Sequence, residues 1–270
     1  MDMNATQMKT ALKCVILTNE RVKGVINRLT VKSERLAEAE PGQFAMIKCG
    51  AGAYLRRPFS ICDIDAGTSA VTFLYRITGA GTNLLSFRKA GETLDVVGPL
   101  GRGYDITPGA IAVVGGGIGV FPLLLLSKRL NGIGVKPDVF VGYREAESVV
   151  LDDELKSAAR DFILVSDDGS AGGKGFVTDA FAKAAGYAGK YDMVYACGPV
   201  PMLKELRDIC GARGIKAQFS LEQRMGCGIG ACLSCVCALK SDKDNYGYSY
   251  ARVCKDGPVF AADSVAFENF

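Results

Sequence analysis

Five of the chain's ten cysteines fall within the 28 residues from Cys227 to Cys254, and four of them follow a spacing that suits a metal centre. Cys227, Cys232 and Cys235 read C-x4-C-x2-C, and Cys254 follows after eighteen intervening residues. This is the plant-type spacing of a [2Fe–2S] cluster held by four thiolates. A loop wrapped around such a cluster turns backbone N–H groups toward the sulfurs, and Gly226, Gly228 and Gly230 permit the positive φ and close approach that this needs. A structural zinc site of four cysteines is the competing reading. It normally shows two C-x2-C knuckles, and only Cys232–Cys235 is present. Cys237 is a fifth thiol, two residues beyond Cys235. A second ligand so close would strain the loop around one iron, so Cys237 is expected to be a buried spare.

Three further elements carry chemistry of a different kind. Val113-Val114-Gly115-Gly116-Gly117-Ile118-Gly119 reads as strand, tight loop and helix start, the setting in which glycines bring backbone close to a pyrophosphate. It departs from G-x-G-x-x-G, because Pro122 stands where the last glycine belongs, so a glycine-rich βα turn without a ligand is the plain alternative. Cys197-Gly198-Pro199 ends a later strand at the carboxyl edge of the same sheet, where open α/β folds bind ligands. With no histidine to activate its thiol, Cys197 is expected to position a nicotinamide ring, and simple packing competes with that reading. Arg57-Pro58-Phe59-Ser60 offers a guanidinium for a pyrophosphate and a hydroxyl for a ring edge. Alone, an arginine beside a proline turn is more often a solvated surface charge. Leu74-Tyr75-Arg76 ends another strand, and Gly79-Ala80-Gly81-Thr82 then opens a short helix, Asn83–Arg88, with Thr82 as N-cap of an anion site. One long ligand bearing a diphosphate would bridge these two barrel elements.

Composition narrows the chemistry further. The 270 residues contain no histidine and no tryptophan. That removes Ser–His and Cys–His nucleophile pairs, His-liganded zinc, facial-triad iron, Rieske centres and His-ligated haem. The net charge is +3, from 32 basic and 29 acidic residues, which is no signature for nucleic acid. At 49% hydrophobic and 23% charged the chain is globular. The N-terminal stretch lacks the apolar core of a secretory signal, and the most apolar run, Ile111–Leu126, is broken by four glycines and a proline. The expectation is a cytoplasmic protein without a membrane segment, with reduced thiols and no disulfide framework. Cys14, Cys49, Cys62 and Cys210 then read as buried small hydrophobes, the default also for Cys197.

The elements that position these groups divide the chain in three. Short runs rich in Val, Ile, Phe, Leu and Thr (Cys14–Thr18, Val25–Thr30, Gln43–Cys49, Ala70–Arg76 and Leu94–Val97) predict a small antiparallel β-barrel over 1–105. Buried-strand runs at Ala110–Val114, Asp138–Gly142, Phe162–Ser166 and Met193–Cys197, separated by helical stretches, predict a parallel-sheet α/β domain over 106–218. From Phe219 the chain is Cys/Gly-rich, and 219–270 reads as a small cluster-binding module too poor in periodic apolar residues to bury its own core. A metal centre would supply the missing organisation. The fold class is therefore multi-domain, β plus α/β.

In this order, R-P-F-S, G-G-G-x-G, C-G-P and C-x4-C-x2-C…C resemble the ferredoxin–NADP reductase superfamily. Within it the chain is most similar to the electron-transfer subunits of two-component, NAD-linked (class 1B) dihydroorotate dehydrogenases. The resemblance spans essentially all 270 residues and is most specific in Gly226–Cys232 with Arg252–Phe260. It implies FAD contacts at Arg57, Pro58, Phe59, Ser60, Leu74, Tyr75, Arg76, Gly81 and Thr82. It also implies cluster ligands Cys227, Cys232, Cys235 and Cys254, and NAD as a diffusible co-substrate at Gly115, Gly116, Gly117, Gly119, Cys197, Gly198 and Pro199. The implied partner is an FMN-bearing catalytic subunit, two of each chain forming a heterotetramer. Electrons would pass from dihydroorotate through FMN, the cluster and FAD to NAD⁺, in pyrimidine biosynthesis. Ser60 is the expected hydrogen-bonding group near the flavin N5. Tyr143-Arg144-Glu145 offers both an arginine for a 2′-phosphate and an acid for a 2′-hydroxyl, so only the resemblance favours NAD over NADP. The long interval before Cys254 is expected to form a surface hairpin over Ser241–Tyr250. The rival readings are a reductase subunit for a hydrogenase, sulfide or ferredoxin-linked partner, and a non-enzymatic iron–sulfur redox sensor.

Overall fold

The computed structural model describes residues 11–186, 190–242 and 246–269. Seven strands, β1 (Leu12–Lys23), β2 (Ile26–Lys32), β3 (Phe44–Ile47), β4 (Arg57–Ser60), β5 (Asp63–Asp65), β6 (Ala70–Arg76) and β7 (Thr93–Leu100), form an antiparallel sheet in the order β4-β3-β7-β1-β2-β6-β5. The two edge strands are consecutive in the chain. Between them the Ile61 N–H donates to the Gln43 carbonyl (3.1 Å) and the Cys62 N–H to the Thr72 carbonyl (2.9 Å), so this one segment bonds to both sides and closes the sheet into a barrel. Period-two alternation fills it: Cys14 and Ile16 are buried, while Val15 and Leu17 are 43% and 39% exposed. Two short helices, α1 (Glu34–Ala37) and α2 (Ala80–Ser86), follow β2 and β6 and contribute Leu36 and Leu85 to the barrel's core.

The second sheet contains β8 (Ile111–Gly116), β9 (Asp138–Tyr143), β10 (Phe162–Ser166), β11 (Gly173–Lys174), β12 (Met193–Cys197) and β13 (Lys216–Ser220), all parallel. Helices α3 (Leu123–Gly132), α4 (Asp152–Ala158), α5 (Val177–Ala185) and α6 (Val200–Ala212) lie between these strands in the chain. The order β11-β10-β9-β8-β12-β13 reverses direction at β8, so the carboxyl ends of β8 and β12 flank the topological switch point. Tyr104 and Tyr195 pack edge to face, 5.4 Å apart, and the Tyr104 hydroxyl donates to the Ala196 carbonyl (3.0 Å), fastening the inter-domain connection to β12.

The third segment is less separate than the sequence implies. An expected boundary at 218/219 falls inside β13. After the hairpin β14 (Val236–Lys240) and β15 (Tyr248–Arg252), strand β16 (Val259–Ala261) returns to pair antiparallel with β13. Cys235, Cys237, Val253 and Cys254 share one apolar core with Phe44 and Met46 of the barrel and Val114, Phe140 and Phe219 of the second sheet. The module thus solves its lack of a private core by borrowing two others, where the sequence reading assigned that task to the metal alone. The expected hairpin over Ser241–Tyr250 has its base at β14–β15, with the Ser241 N–H donating to the Gly247 carbonyl at 3.0 Å; residues 243–245 lie outside the described residues.

One charged group sits in the core at the end of the second sheet remote from the switch point. The Asp138 side chain is fully buried and accepts from Arg160 Nε (2.8 Å), Arg160 Nη2 (2.7 Å) and the Tyr191 hydroxyl (2.7 Å). Burial pushes its carboxyl up, but those hydrogen bonds and the charges of Arg160 and Lys190 outweigh it and hold the group below the usual carboxylate range. A depressed folded-state value adds stability above the unfolded pKa of about 3.9, which is lost as pH falls through the lower folded value. Asp138→Asn is therefore expected to cost about 2–3 kcal/mol at neutral pH, from the lost charge-assisted hydrogen bonds. Urea unfolding should show the gap between wild type and variant closing below about pH 4; a gap that persists undiminished at low pH would refute the charge-based account.

Candidate functional site

The cluster loop runs from Gly226 to Cys235, and its backbone N–H groups point inward. Cys227 Sγ accepts from the N–H of Ile229 (3.4 Å), Ala231 (3.3 Å) and Cys232 (3.4 Å); Cys254 Sγ accepts from Gly230 (3.1 Å), and Cys235 Sγ from Cys254 (3.4 Å). Gly228 and Gly230 make this curl possible at φ +72° and +84°. At Gly228 a Cβ would stand 2.4 Å from Met46 Cγ, so the loop lies directly on β3. Arg252 clamps it from the other side, donating to the Gly230 carbonyl (3.3 Å) and to Asp256 (2.9 Å). The thiols interact in pairs, Cys227 with Cys232 and Cys235 with Cys254. Hydrogen bonds from Ser234 and Cys227 hold the exposed Cys232 thiol down at about 6, while burial and Cys235 push Cys254 up to about 12. Two pairs of thiols with N–H groups aimed at the sulfurs fit two irons better than one zinc. Cys237 is 3% exposed on β14, and burial raises its thiol to about 11.

The two barrel elements expected to share a ligand do meet. Arg56 is committed to Asp95 (Nε to Oδ1, 3.0 Å), whereas among the described residues Arg57 has no acidic partner. Its side chain lies over α2, where a Cβ at Gly81 would be 3.3 Å from Arg57 Nε. The helix starts three residues earlier than expected, and its N-cap is Gly79. Thr82 is therefore not the cap but the third helical residue, and its hydroxyl reaches back to accept from the N–H groups of Thr78 (2.9 Å) and Gly79 (3.2 Å). Pro58 and Ser60 are half-buried on β4. Phe59 and Tyr75 pack edge to face inside the barrel, and the Tyr75 hydroxyl donates to Asn19 (2.9 Å). Leu74 is buried as well, which leaves Arg76 as the side chain of that strand end that reaches a cleft.

That cleft, about 1040 Å³, lies between the barrel and the switch point. Its inner wall is Gly116, Gly117, Ile118 and Gly119 from the glycine loop and Gly198 and Pro199 from the end of β12. The glycines are needed here for a reason the motif does not state: the two loops pack backbone to backbone. A Cβ at Gly119 would stand 2.4 Å from the Cys197 carbonyl oxygen, and one at Gly198 2.4 Å from Met202 Cε. Gly115 is buried beneath, against Leu123 and Val120. Cys197 itself is 1% exposed, and burial followed by the charge of Glu222 pushes its thiol far above the ordinary value. A thiol so buried and protonated is no nucleophile, and it packs behind the cleft without lining it. The Cys197 side chain expected to position a ring lies behind the cleft, and Gly198 is the residue of that pair that faces it.

Glu222 is a cleft residue that sequence reasoning missed. Desolvation by the surrounding cleft wall pushes its carboxyl up while the Arg76 charge pulls it down, so a carboxylate and a guanidinium face each other where barrel and second sheet meet. An acid two residues past the end of β13 was the available signal, legible only once β13 is known to adjoin β12.

Comparisons with known proteins agree with this layout. Residues 222–266 match the iron-sulfur cluster binding domain of dihydroorotate dehydrogenase B, and residues 113–208 match the oxidoreductase NAD-binding domain. The chain is 42% identical over 263 residues to "Dihydroorotate dehydrogenase B (NAD(+)), electron transfer subunit" of Fusobacterium nucleatum, covering 94% of this chain and 98% of that one. It is 38% identical to the protein of the same description from Caldanaerobacter subterraneus, covering 96% and 100%. Among solved structures, the NADH-dependent reduced ferredoxin-NADP oxidoreductase superposes with a TM-score of 0.83 at 28% identity, over 94% of this chain and 90% of that one. Phthalate dioxygenase reductase shares the fold, with a TM-score of 0.65 at 18% identity over 94% and 96%.

Proposed function

The chain belongs to the family of electron transfer subunits of NAD-linked dihydroorotate dehydrogenase B, and on that premise we propose that it carries electrons from a catalytic subunit that oxidises dihydroorotate to NAD⁺, a step of pyrimidine synthesis. The observation that carries the reading is the convergence of three sites on one barrel. The cluster loop rests on Met46 of β3, Met46 pairs with Pro58 of β4, and the Arg57 side chain beside it covers Gly81. From the other side, the cleft at the switch point is walled by Lys23–Ile26 and Arg76 of the same barrel.

Cys227, Cys232, Cys235 and Cys254 would hold the [2Fe–2S] cluster, and Arg57 with the start of α2 the pyrophosphate of FAD. Together the two groups supply one-electron transfer on one side and hydride exchange with a nicotinamide on the other. The chain's own residues do the positioning. The inward N–H groups of the cluster loop stabilise negative sulfur, the Arg57 guanidinium neutralises a diphosphate, and Gly119 and Gly198 let the cleft floor be backbone. Ser60 presents a hydroxyl at the end of β4, and we assign it the hydrogen bond to the flavin N5. Ser60→Ala is expected to slow NADH-dependent dye reduction about tenfold with FAD still bound; an unchanged rate refutes the role.

FMN in the catalytic partner and a two-plus-two heterotetramer complete the proposal. No helix among the described residues is long and apolar enough to cross a membrane, and we assign the complex to the cytoplasm, where thiols stay reduced. The test is to mix the purified chain with a matched FMN subunit, supply dihydroorotate and follow NAD⁺ reduction. Reduction that requires both chains supports the proposal, and its absence from a complex with full flavin and cluster absorbance overturns it. Cluster bands without flavin bands in the purified chain would point to a sensor instead.

A further inference from the structure

Strand β1 changes face partway along its length. Cys14 and Ile16 point into the barrel, and period-two alternation would turn Thr18 inward next. A register shift against β2 intervenes between Ile16 and Thr18. Thr18 is exposed opposite Thr30, and it is Asn19 that stands opposite the fully buried Leu29. The bulge re-aims the strand and sends an amide to a position where the pattern calls for an apolar side chain.

That amide is fully used. Asn19 Nδ2 donates to the carbonyls of Leu85 (2.8 Å) and Arg88 (2.9 Å), and Asn19 Oδ1 accepts from the Tyr75 hydroxyl (2.9 Å). Leu85 lies in the last turn of α2 and Arg88 just beyond it, where carbonyls run out of intrahelical partners. One side chain therefore fastens the exit of α2 to a strand 66 and 69 positions away. The helix needs such a tie. It has seven residues, too few to be stable alone, and Leu85 is its one large buried side chain. In the other direction the Tyr75 ring packs edge to face on Phe59 of β4, 5.6 Å away. Phe59 is two residues from Arg57, whose side chain lies over Gly81 of α2. The path from β4 through Tyr75, Asn19 and α2 thus returns to β4.

We propose that Asn19 is a positioning residue for FAD: by tying the exit of α2 to Tyr75, and through it to Phe59, it keeps the Arg57–Ser60 strand and the Gly81–Thr82 turn in register around the nucleotide. Asn19 acts from beneath, inside the barrel, on groups that touch the ligand. This inference rests on the reading that the barrel holds FAD.

The full chain, loaded with FAD and cluster, is tested by the flavin fluorescence that returns as FAD leaves and by the visible circular dichroism of the flavin still bound. Asn19→Ala is expected to weaken FAD at least about tenfold and to change the dichroism, since more than one hydrogen bond is lost. Asn19→Asp keeps the shape and the acceptor for Tyr75 but has no donor for the two carbonyls, and it should weaken FAD as much. Tyr75→Phe should cost about threefold. Because both residues act in one relay, the double variant Asn19→Ala/Tyr75→Phe should bind FAD no more weakly than Asn19→Ala, whereas independent effects would multiply. Cys14→Ala, buried on the same strand opposite Leu94, controls for general loosening of the barrel and should leave affinity and dichroism unchanged.

If the wild type holds FAD and Asn19→Ala weakens it no more than Cys14→Ala does, this inference alone falls. Wild-type affinity in Asn19→Asp shows that volume and not the donors matters, and overturns it too. Fold-changes that multiply in the double variant overturn the relay through Tyr75. Should Asn19→Ala lose its cluster absorbance and so fail to fold, Tyr75→Phe decides, and an unchanged affinity there overturns the proposal. A wild-type chain that holds no flavin overturns the FAD reading of the barrel as well.

Discussion

Cys254→Ser is expected to abolish the cluster absorption of the purified chain and to cut electron transfer to the partner more than about a hundredfold, beyond the usual effect of losing an outer-shell contact. Cys237→Ser should keep both. The two thiols are equally hidden, at 0% and 3% exposure, so burial does not separate them. Their hydrogen bonding does. Cys254 Sγ accepts the Gly230 N–H at 3.1 Å and interacts with Cys235, and its own N–H donates to Cys235 Sγ. Cys237 sits in the β14 ladder opposite Ala251, its thiol in the shared apolar core. Serine for Cys254 replaces a soft thiolate with a hydroxyl that does not ionise at neutral pH, which removes a ligand. Serine for Cys237 adds a small polar group to a core and costs stability only. Iron and sulfide analysis with visible absorbance decides the matter, and equal loss from both variants would sink the assignment of Cys254 as fourth ligand.

Gly119→Ala is the second large effect, and it separates two reasons for glycine within one loop. A Cβ at Gly119 would lie 2.4 Å from the Cys197 oxygen, 2.5 Å from its carbonyl carbon and 2.7 Å from Gly198 Cα. All three are backbone atoms, and no rotamer relieves the clash, so the two loops of the switch point must part. The expected cost is about 2–3 kcal/mol of stability, typical of overpacking. A rise in KM for NADH of at least about tenfold should accompany it, because the cleft floor moves. Gly117 differs: its φ is +56°, but a Cβ there meets nothing within 4 Å. Gly117→Ala should cost about 1 kcal/mol of backbone strain and leave KM less affected. Denaturant unfolding with steady-state NADH kinetics on both variants distinguishes the cases. If the two alanines behave alike, the backbone contact between the loops is not what demands glycine.

Legibility in the sequence followed the range of the interaction. The cluster loop was legible because three of its cysteines lie within nine residues and the glycines between them report the curl. Thr82 was recognised as a capping residue but placed at the wrong position. A hydroxyl at the cap and one at the third helical residue bond N–H groups of the same turn, so the residue type does not distinguish the two. Arg57 and Arg56 were indistinguishable as neighbours in the chain. Only Asp95, 39 positions from Arg56, occupies one of them and leaves the other for an anion.

For Cys197 the sequence left ring positioning and simple packing side by side, and only the fold shows the thiol buried beside Ser220 and Glu222, behind the cleft. Glu222 carried no motif. Its significance arises when β13 is laid beside β12 and Arg76 of the barrel lines the same cleft.

The amino-acid sequence by itself determined the redox chemistry available to this protein. The absence of histidine and the four spaced thiols are facts of composition and local spacing, and a cluster loop closes over a few residues. The tertiary structure alone decided which groups share a site. The barrel closes through Ile61–Cys62, the module borrows its core from two sheets, and the cleft is walled by residues from Lys23 to Glu222. Such contacts depend on strand order and on which polar atoms are left unpaired by packing, and neither is encoded in any short stretch of chain.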